Sequence, residues 1–171
     1  MTSLNLEKIN LDNLEIGNPF KLIGNDWMLI TAGDKSNFNT MTASWGGLGV
    51  LWNKKVSFCF VRPQRFTFEF MEKSDYYSLS FYDSNYKDSL KICGTTSGRD
   101  VNKVEKTGFT PCFKENAPYF EESKLVFICK KIYTQFIDPQ CMVDLKLELN
   151  YKDKDYHKMY VGEIIECIVK K

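Results

Sequence analysis

The apolar residues of this chain come in short, alternating stretches, and that punctuation confines it to a β-rich fold. Its longest unbroken apolar run is Leu125 to Cys129, far short of the roughly 20 residues that a membrane-crossing helix needs. Thr40-Met41-Thr42-Ala43-Ser44-Trp45 alternates and is rich in β-formers, as is Val56 to Val61. Tyr76 to Tyr82 sends Tyr77, Leu79 and Phe81 to one side and Ser78, Ser80 and Tyr82 to the other. Lys124 to Phe136 and Met159 to Val169 read as strong strands, and Met142 to Leu149 as a weaker one. Phe20 to Gly24 and Trp27 to Thr31 read as two strands or one bent strand.

Between these runs, Gly46-Gly47-Leu48-Gly49 is expected to break the chain. Arg62-Pro63 opens a helix that carries Phe66, Phe70 and Met71 on one face. Asp83 or Ser84 caps a second helix through Tyr86, Leu90 and Ile92, closed at Gly94, and Val101 to Lys106 forms a third, stopped by Gly108. Residues 109–120, with Pro111 and Pro118, read as irregular, and Lys152 to Asp155 as a solvated turn. Residues 1–18 form a polar N-terminal arm suited to lie on a partner, and 19–171 a single domain. The inventory is mainly β: an antiparallel barrel with short helical insertions.

Charge and cysteine content narrow the function. Lys and Arg number 23 against 22 Asp and Glu, so no global field draws the protein to nucleic acid or to an anionic membrane. Met1 to Lys8 has neither a basic flank nor an apolar block, and none of the six cysteines forms a C-x-x-C pair. The flanks of Cys59 and Cys129 are strongly apolar. The reading is a cytoplasmic protein with free, buried thiols and no metal site.

Three constellations could carry chemistry. Only Arg62, Arg65 and Arg99 among the cations are arginines, and a guanidinium offers a planar fork of donors for phosphate or carboxylate. Arg62 and Arg65 flank Pro63 at a helix start, where free N–H groups favour an anion. Arg99 follows Ser97-Gly98, with Lys103 one turn on. The alternative is surface ion pairing with Glu69 or Asp100. Along Asn39 to Trp45, alternation puts Asn39, Met41, Ala43 and Trp45 on one face and Thr42 and Ser44 on the other. That suits a planar heterocycle with polar edges; the alternative is a core tryptophan beside a glycine turn. His157, the only histidine, either titrates or donates at a site or is a structural surface residue. No G-x-G-x-x-G, P-loop, G-x-S-x-G or H-E-x-x-H pattern occurs.

The segments Asn39 to Gly46, Val61-Arg62-Pro63 with Phe66-Thr67, Cys93-Gly94 with Ser97-Gly98-Arg99-Asp100 and Lys103, and His157 with Gly162-Glu163-Ile164 occur in one order over about residues 20 to 168. Together they resemble the flavin reductase-like, FMN-binding split-barrel family, and most closely its flavoredoxin-like branch. The resemblance implies a six-stranded split β-barrel working as a homodimer, with FMN near the interface. It implies that Asn39, Thr40, Met41, Thr42, Ala43, Ser44 and Trp45 contact the isoalloxazine and ribityl groups. Arg62, Phe66, Thr67, Ser97, Gly98, Arg99 and Lys103 would surround the phosphate and its approaches, and His157 would lie near the flavin or an incoming NAD(P)H. A protein electron donor or acceptor is the other partner it implies. Two segments depart from the family pattern. Leu51 to Lys55 lacks the usual proline-containing turn, and Asp155-Tyr156 stands where Gly-Asp is usual before the histidine. Trp45 is bulkier than its counterpart in dedicated flavin reductases, which favours FMN held as a prosthetic group.

Overall fold

The computed structural model describes residues 6–114 and 117–171; the expectations for residues 1–5 and 115–116 lie outside them. In chain order the elements are β1 (Leu6–Ile9), β2 (Met28–Gly33), β3 (Phe38–Ala43), β4 (Gly46–Leu51), β5 (Lys54–Val61), α1 (Phe66–Lys73), β6 (Tyr76–Phe81), α2 (Lys87–Thr95), α3 (Lys103–Thr107), β7 (Pro111–Lys114), β8 (Ala117–Phe120), β9 (Leu125–Phe136) and β10 (Lys158–Lys170). One eight-stranded antiparallel sheet runs β3-β2-β6-β9-β10-β5-β4, and β7 pairs with β8 apart from it. β3 and β4 lie at opposite ends of that order yet are joined by Ser44 and Trp45 alone. The sheet therefore curls round on itself, with its opening between those two edges. Six of the strands expected from the sequence are present, as β2, β3, β5, β6, β9 and β10, and β4 and β1 extend them. β5 pairs with residues 158–163 of β10, and β1 takes the stretch of the same edge that β5 leaves free, with Ile9 opposite Cys167 and Leu6 opposite Lys170.

The apolar run in β9 is explained by burial on both faces. Leu125, Phe127 and Cys129 point into the barrel with Tyr77, Leu79 and Phe81 of β6. Val126 and Ile128 pack outward beneath Ala117 and Tyr119 of the β7–β8 hairpin. Leu29 on the outer face of β2 is covered by Leu90 and Cys93 of α2 together with Tyr82, Phe109 and Phe120. Short helices are thus lids on a sheet whose inner surface forms the main core. All six cysteines are unpaired, and Cys59, Cys93, Cys129 and Cys167 are buried.

Four expectations are corrected. Phe20 to Gly24 is not a strand: Lys21–Asp26 forms a wide helical turn that buries Leu22 and Ile23. Asn18 caps it, its side-chain oxygen accepting from the N–H groups of Phe20 and Lys21, and Pro19 sits just inside. The glycine-rich stretch does not break the chain but forms β4, turned into β5 through Trp52 and Asn53, both at positive φ. A Cβ on Gly46 would lie 2.6 Å from the Phe58 carbonyl oxygen, so glycine permits the close approach of β4 to β5. Residues 109–120 contain the β7–β8 hairpin, whose prolines are tolerated because each strand has only one partner. Met142 to Leu149 is not a strand; Pro139–Cys141 and Leu145–Asn150 are tight helical turns. In addition, Pro63 does not begin the helix. It lies inside a turn closed by Arg65 N–H to Arg62 O (3.1 Å), and α1 starts at Phe66.

Gly46→Ala is expected to destabilise the fold by about 1–3 kcal/mol, because the obstacle is backbone and cannot swing away. A thermal unfolding midpoint within a degree of the unaltered protein would contradict this.

Candidate active site

The unpaired edge of β3, continued by Ser44 and Trp45, spans about 20 Å from Asn39 to Trp45 at roughly 3.3 Å per residue. α1, the loop from α2 to α3 and the segment before β10 converge on it. Together they border a trough of three neighbouring cavities, successive ones sharing lining residues.

The first cavity, about 210 Å³, is lined by Met41, Thr42, Ala43, Ser44 and Trp45, with Phe60, Arg62, Arg65 and His157 opposite. Trp45 is 46% exposed, so it is not a core residue; its ring lies 5.0 Å from that of His157. Phe60 stands edge-on to the imidazole at 6.5 Å. His157 is not a surface residue: it is buried, and its Nδ1 shares a 3.0 Å hydrogen bond with the Tyr151 hydroxyl. Burial, reinforced by the Arg62 charge, pushes its pKa down to about 4. At neutral pH it is an uncharged imidazole beside an indole.

The second cavity, about 190 Å³, is bounded by Asn39, Phe66, Thr67, Ser97, Gly98 and Lys103 of the expected set. Gln64, Arg65, Thr95 and Thr96 complete it. Asn39 donates to the Thr67 hydroxyl (2.8 Å), tying β3 to the start of α1. Gly98 leaves room for the Asn39 carboxamide: a Cβ there would lie 2.1 Å from its Oδ1 and would displace it. Lys103 is buried and donates to the carbonyls of Thr40 (2.7 Å) and Cys93 (2.8 Å). An ammonium has three donors, so one remains. Burial pushes its pKa down to about 8, against the pull of Cys93 and with the Arg65 charge adding to the effect.

The third cavity, about 540 Å³, adjoins the second through Asn39, Phe66, Gly98 and Lys103; Thr40 and Arg99 border only this one.

The three arginines divide their roles in a way the sequence does not reveal. Arg62 pairs with Asp155, donates to the Asn150 carbonyl (2.9 Å) and lies over the Tyr151 ring at 5.1 Å. It fastens the segment that carries His157. Arg99 pairs with Glu69, as the ion-pair alternative had it, and lies 4.6 Å from the centre of the Phe66 ring. Arg65 is different. Its Nη1 donates to the Gly94 carbonyl (2.8 Å), but Nη2 is buried without a partner. Burial lowers its pKa from the usual guanidinium range. Arg65 borders both the first and the second cavity. An unmet charged donor is costly to bury, and this one sits where α1 presents its free N–H groups.

Phe60 and Tyr151 escaped the sequence reading, and Asp155 entered it only as part of a turn and as a departure from the family pattern. Phe60 sits in an alternating strand like any core residue. Tyr151 and Asp155 matter only because the long connection from β9 folds back over Arg62. For Arg65 the signal was present, in its spacing from Arg62.

An aromatic-walled slot thus lies next to a cationic cradle on the free edge of a curled sheet. The family model described as "Flavin reductase like domain" matches residues 20–171, and the chain belongs to that family. Similar solved structures include flavoredoxin from Methanosarcina acetivorans, 24% identical with a TM-score of 0.66, covering 94% of this chain and 74% of that one. The FMN-binding domain of a flavin reductases-like enzyme from Shewanella baltica is 16% identical with a TM-score of 0.69, covering 96% and 77%. Flavoredoxin of Desulfovibrio vulgaris is 19% identical with a TM-score of 0.67, covering 96% and 78%. Among curated proteins none matches the sequence.

Because His157 is the only histidine, its titration can be read by proton NMR without assignment. Its pKa is expected near about 4, and Arg62→Gln should raise it; a value at or above 6.5 in the unaltered protein would contradict the buried, cation-flanked placement. A folded-state pKa below the unfolded value means that stability is complete above about 6.5 and is lost as pH falls from there towards 4.

Proposed function

We propose that the protein is an FMN-dependent oxidoreductase of the NAD(P)H:flavin reductase type, passing electrons from a nicotinamide to a flavin or another acceptor. The observation that carries this reading is the buried, unpartnered Nη2 of Arg65 at the junction of the two smaller cavities. A phosphomonoester brings about −1.5 to −2 charges and strong acceptor oxygens, which is what that atom lacks. Arg65, the remaining N–H of Lys103, the Ser97-Gly98 loop and the start of α1 would hold the phosphate. Trp45, Phe60 and His157 would wall the ring, and the free edge of β3 would meet its polar rim. When bound, FMN supplies the redox chemistry, and the protein positions it and tunes its surroundings. A neutral His157, oriented by Tyr151, adds a hydrogen-bonding group to the ring slot without adding charge.

A second reading has support of its own. Trp45 is nearly half exposed at the mouth of the slot, which leaves room for a redox protein to approach. The chain would then be a flavoredoxin-like electron carrier reduced by a protein partner. Rapid mixing of the FMN-loaded protein with NADH and with NADPH decides between them: bleaching of the yellow colour on a catalytic timescale supports the enzyme, and persistence of the colour with both supports the carrier.

The assembly is proposed to be a cytoplasmic homodimer. Val143, Leu145, Leu147 and Leu149 are all exposed, Val143 completely, and a second copy would cover them. Among the described residues no helix is long and apolar enough to cross a membrane. Light scattering should give about twice the 19.9 kDa chain mass, and Leu145→Lys with Leu149→Lys should shift it towards one chain.

Arg65→Gln is expected to weaken FMN binding roughly ten- to a hundred-fold, the worth of a charge-assisted hydrogen bond of about 1.5–3 kcal/mol. Riboflavin, which lacks the phosphate, should change little; equal losses would refute the cradle. FMN affinity should also fall as pH rises through about 8, where Lys103 loses its proton, with riboflavin flat over the same range. Fluorescence titration from pH 7 to 9 checks the sign.

A further inference from the structure

His157 lines the ring slot, and Tyr151 presses on it from outside. The Tyr151 side chain is buried, its hydroxyl lies 3.0 Å from His157 Nδ1, and it does not border the slot itself. The chain is shaped to make this contact. The turn at Leu145–Asn150 ends with the Tyr151 N–H donating to the Glu148 carbonyl (2.8 Å). Lys154, at a φ of 54°, reverses the chain again and donates its N–H to the Tyr151 carbonyl (3.0 Å). The Arg62 guanidinium covers the phenol face at 5.1 Å, and Asp155 ties Arg62 and Gln64 to the same segment.

The direction of the hydrogen bond follows from counting donors. A neutral imidazole has one N–H and one bare nitrogen, and a phenol has one O–H and two lone pairs. Burial raises the Tyr151 pKa above the usual phenol value and pushes that of His157 down to about 4, so both are uncharged at neutral pH. The His157 backbone N–H already hydrogen-bonds the phenol oxygen. Among the described residues, Nδ1 is the one acceptor within reach of the phenol O–H, and a buried O–H without an acceptor is costly. Tyr151 therefore donates, Nδ1 accepts, and the single ring proton sits on Nε2. No described residue hydrogen-bonds Nε2, which leaves its partner to come from the slot that His157 lines.

We infer that Tyr151 is a positioning residue: by donating to Nδ1 it fixes His157 as the Nε2–H tautomer, a neutral donor that accepts a ligand edge only where that edge carries an acceptor atom. A carbonyl oxygen or bare nitrogen on the rim of a flavin ring is such an acceptor. The inference rests on the flavin reading for the identity of the ligand alone; the tautomer stands without it.

With one histidine in the chain, a long-range proton–nitrogen correlation spectrum of the isotope-labelled full chain at neutral pH, without flavin, reads both ring nitrogens. Nε2 should show the shift of a protonated, pyrrole-type nitrogen and Nδ1 that of a bare, pyridine-type one. The reverse assignment, or two averaged shifts, would overturn the inference whether or not any variant folds. Tyr151→Phe keeps a ring beneath Arg62 but removes the donor, and should draw the two shifts towards each other; an unchanged pair would remove Tyr151 from the role. Fluorescence titration then tests the use of the donor. Tyr151→Phe should weaken FMN and riboflavin equally, roughly two- to ten-fold, the worth of one neutral hydrogen bond, whereas Arg65→Gln spares riboflavin. No loss for either ligand would overturn the donor role. If the unaltered protein binds neither, the flavin reading falls, and the tautomer measured in the flavin-free chain is unaffected.

Discussion

A sheet whose two outermost strands are consecutive in the chain has little choice of shape. β3 and β4 end the strand order on opposite sides, yet two residues join them, so the right-handed twist of the strands must bring the edges round to meet. The same constraint creates the site. It leaves the β3 edge without a strand partner and places Trp45 at the lip of the opening. The outer helices are then positioned by what they cover. α2 packs on β2 and β3 through Leu90 and Cys93, and its C-terminal end delivers the Gly94 carbonyl to Arg65 and the Cys93 carbonyl to Lys103.

Electrostatics in the trough follow from which cations the fold satisfies. Three cationic side chains crowd one end of β3, and burial opposes charge on two of them, Arg65 and Lys103. The fold meets those two with backbone carbonyls rather than carboxylates, which keeps their positive potential available to an incoming anion. Arg62, in the wall of the first cavity, spends its charge on Asp155 and holds a long connection against the barrel. Lysine could match the charge there but not the simultaneous contacts with Asp155, the Asn150 carbonyl and the Tyr151 face.

Much of this architecture was legible in the residues. β5, β6, β9 and β10 follow from alternation, and Gly108 in the left-handed conformation ends α3 as its sequence position suggests. Misreadings arose where one residue type serves two purposes. Glycines at 46, 47 and 49 look like a break but allow β4 to press close to Phe58. Pro63 suits a helix start and equally the turn before it. The alternation of Val143, Leu145, Leu147 and Leu149 has the period of a strand, but no strand lies beside it and the segment stays in helical turns. At the site, the scarcity of arginine drew attention to the right side chains. Glu69 was named as a partner, but which arginine stayed free could not be read, because the carboxylate that engages Arg62 lies 93 residues away along the chain.

β10 touches β9 along one side, and β5 followed by β1 along the other. It leaves the ribosome after every other strand of its sheet, yet it is the one on which three others depend. Until it emerges, β5 has no neighbour but β4, β1 has none, and β9 presents an open edge. Closure of the sheet must therefore wait for nearly the whole chain, with the loop-closure cost of pairing Leu6 to Lys170 met at the end. A nascent chain stalled before residue 158 would hold aromatic-rich strands with free edges. That state calls for a chaperone more than any stage of the finished molecule does.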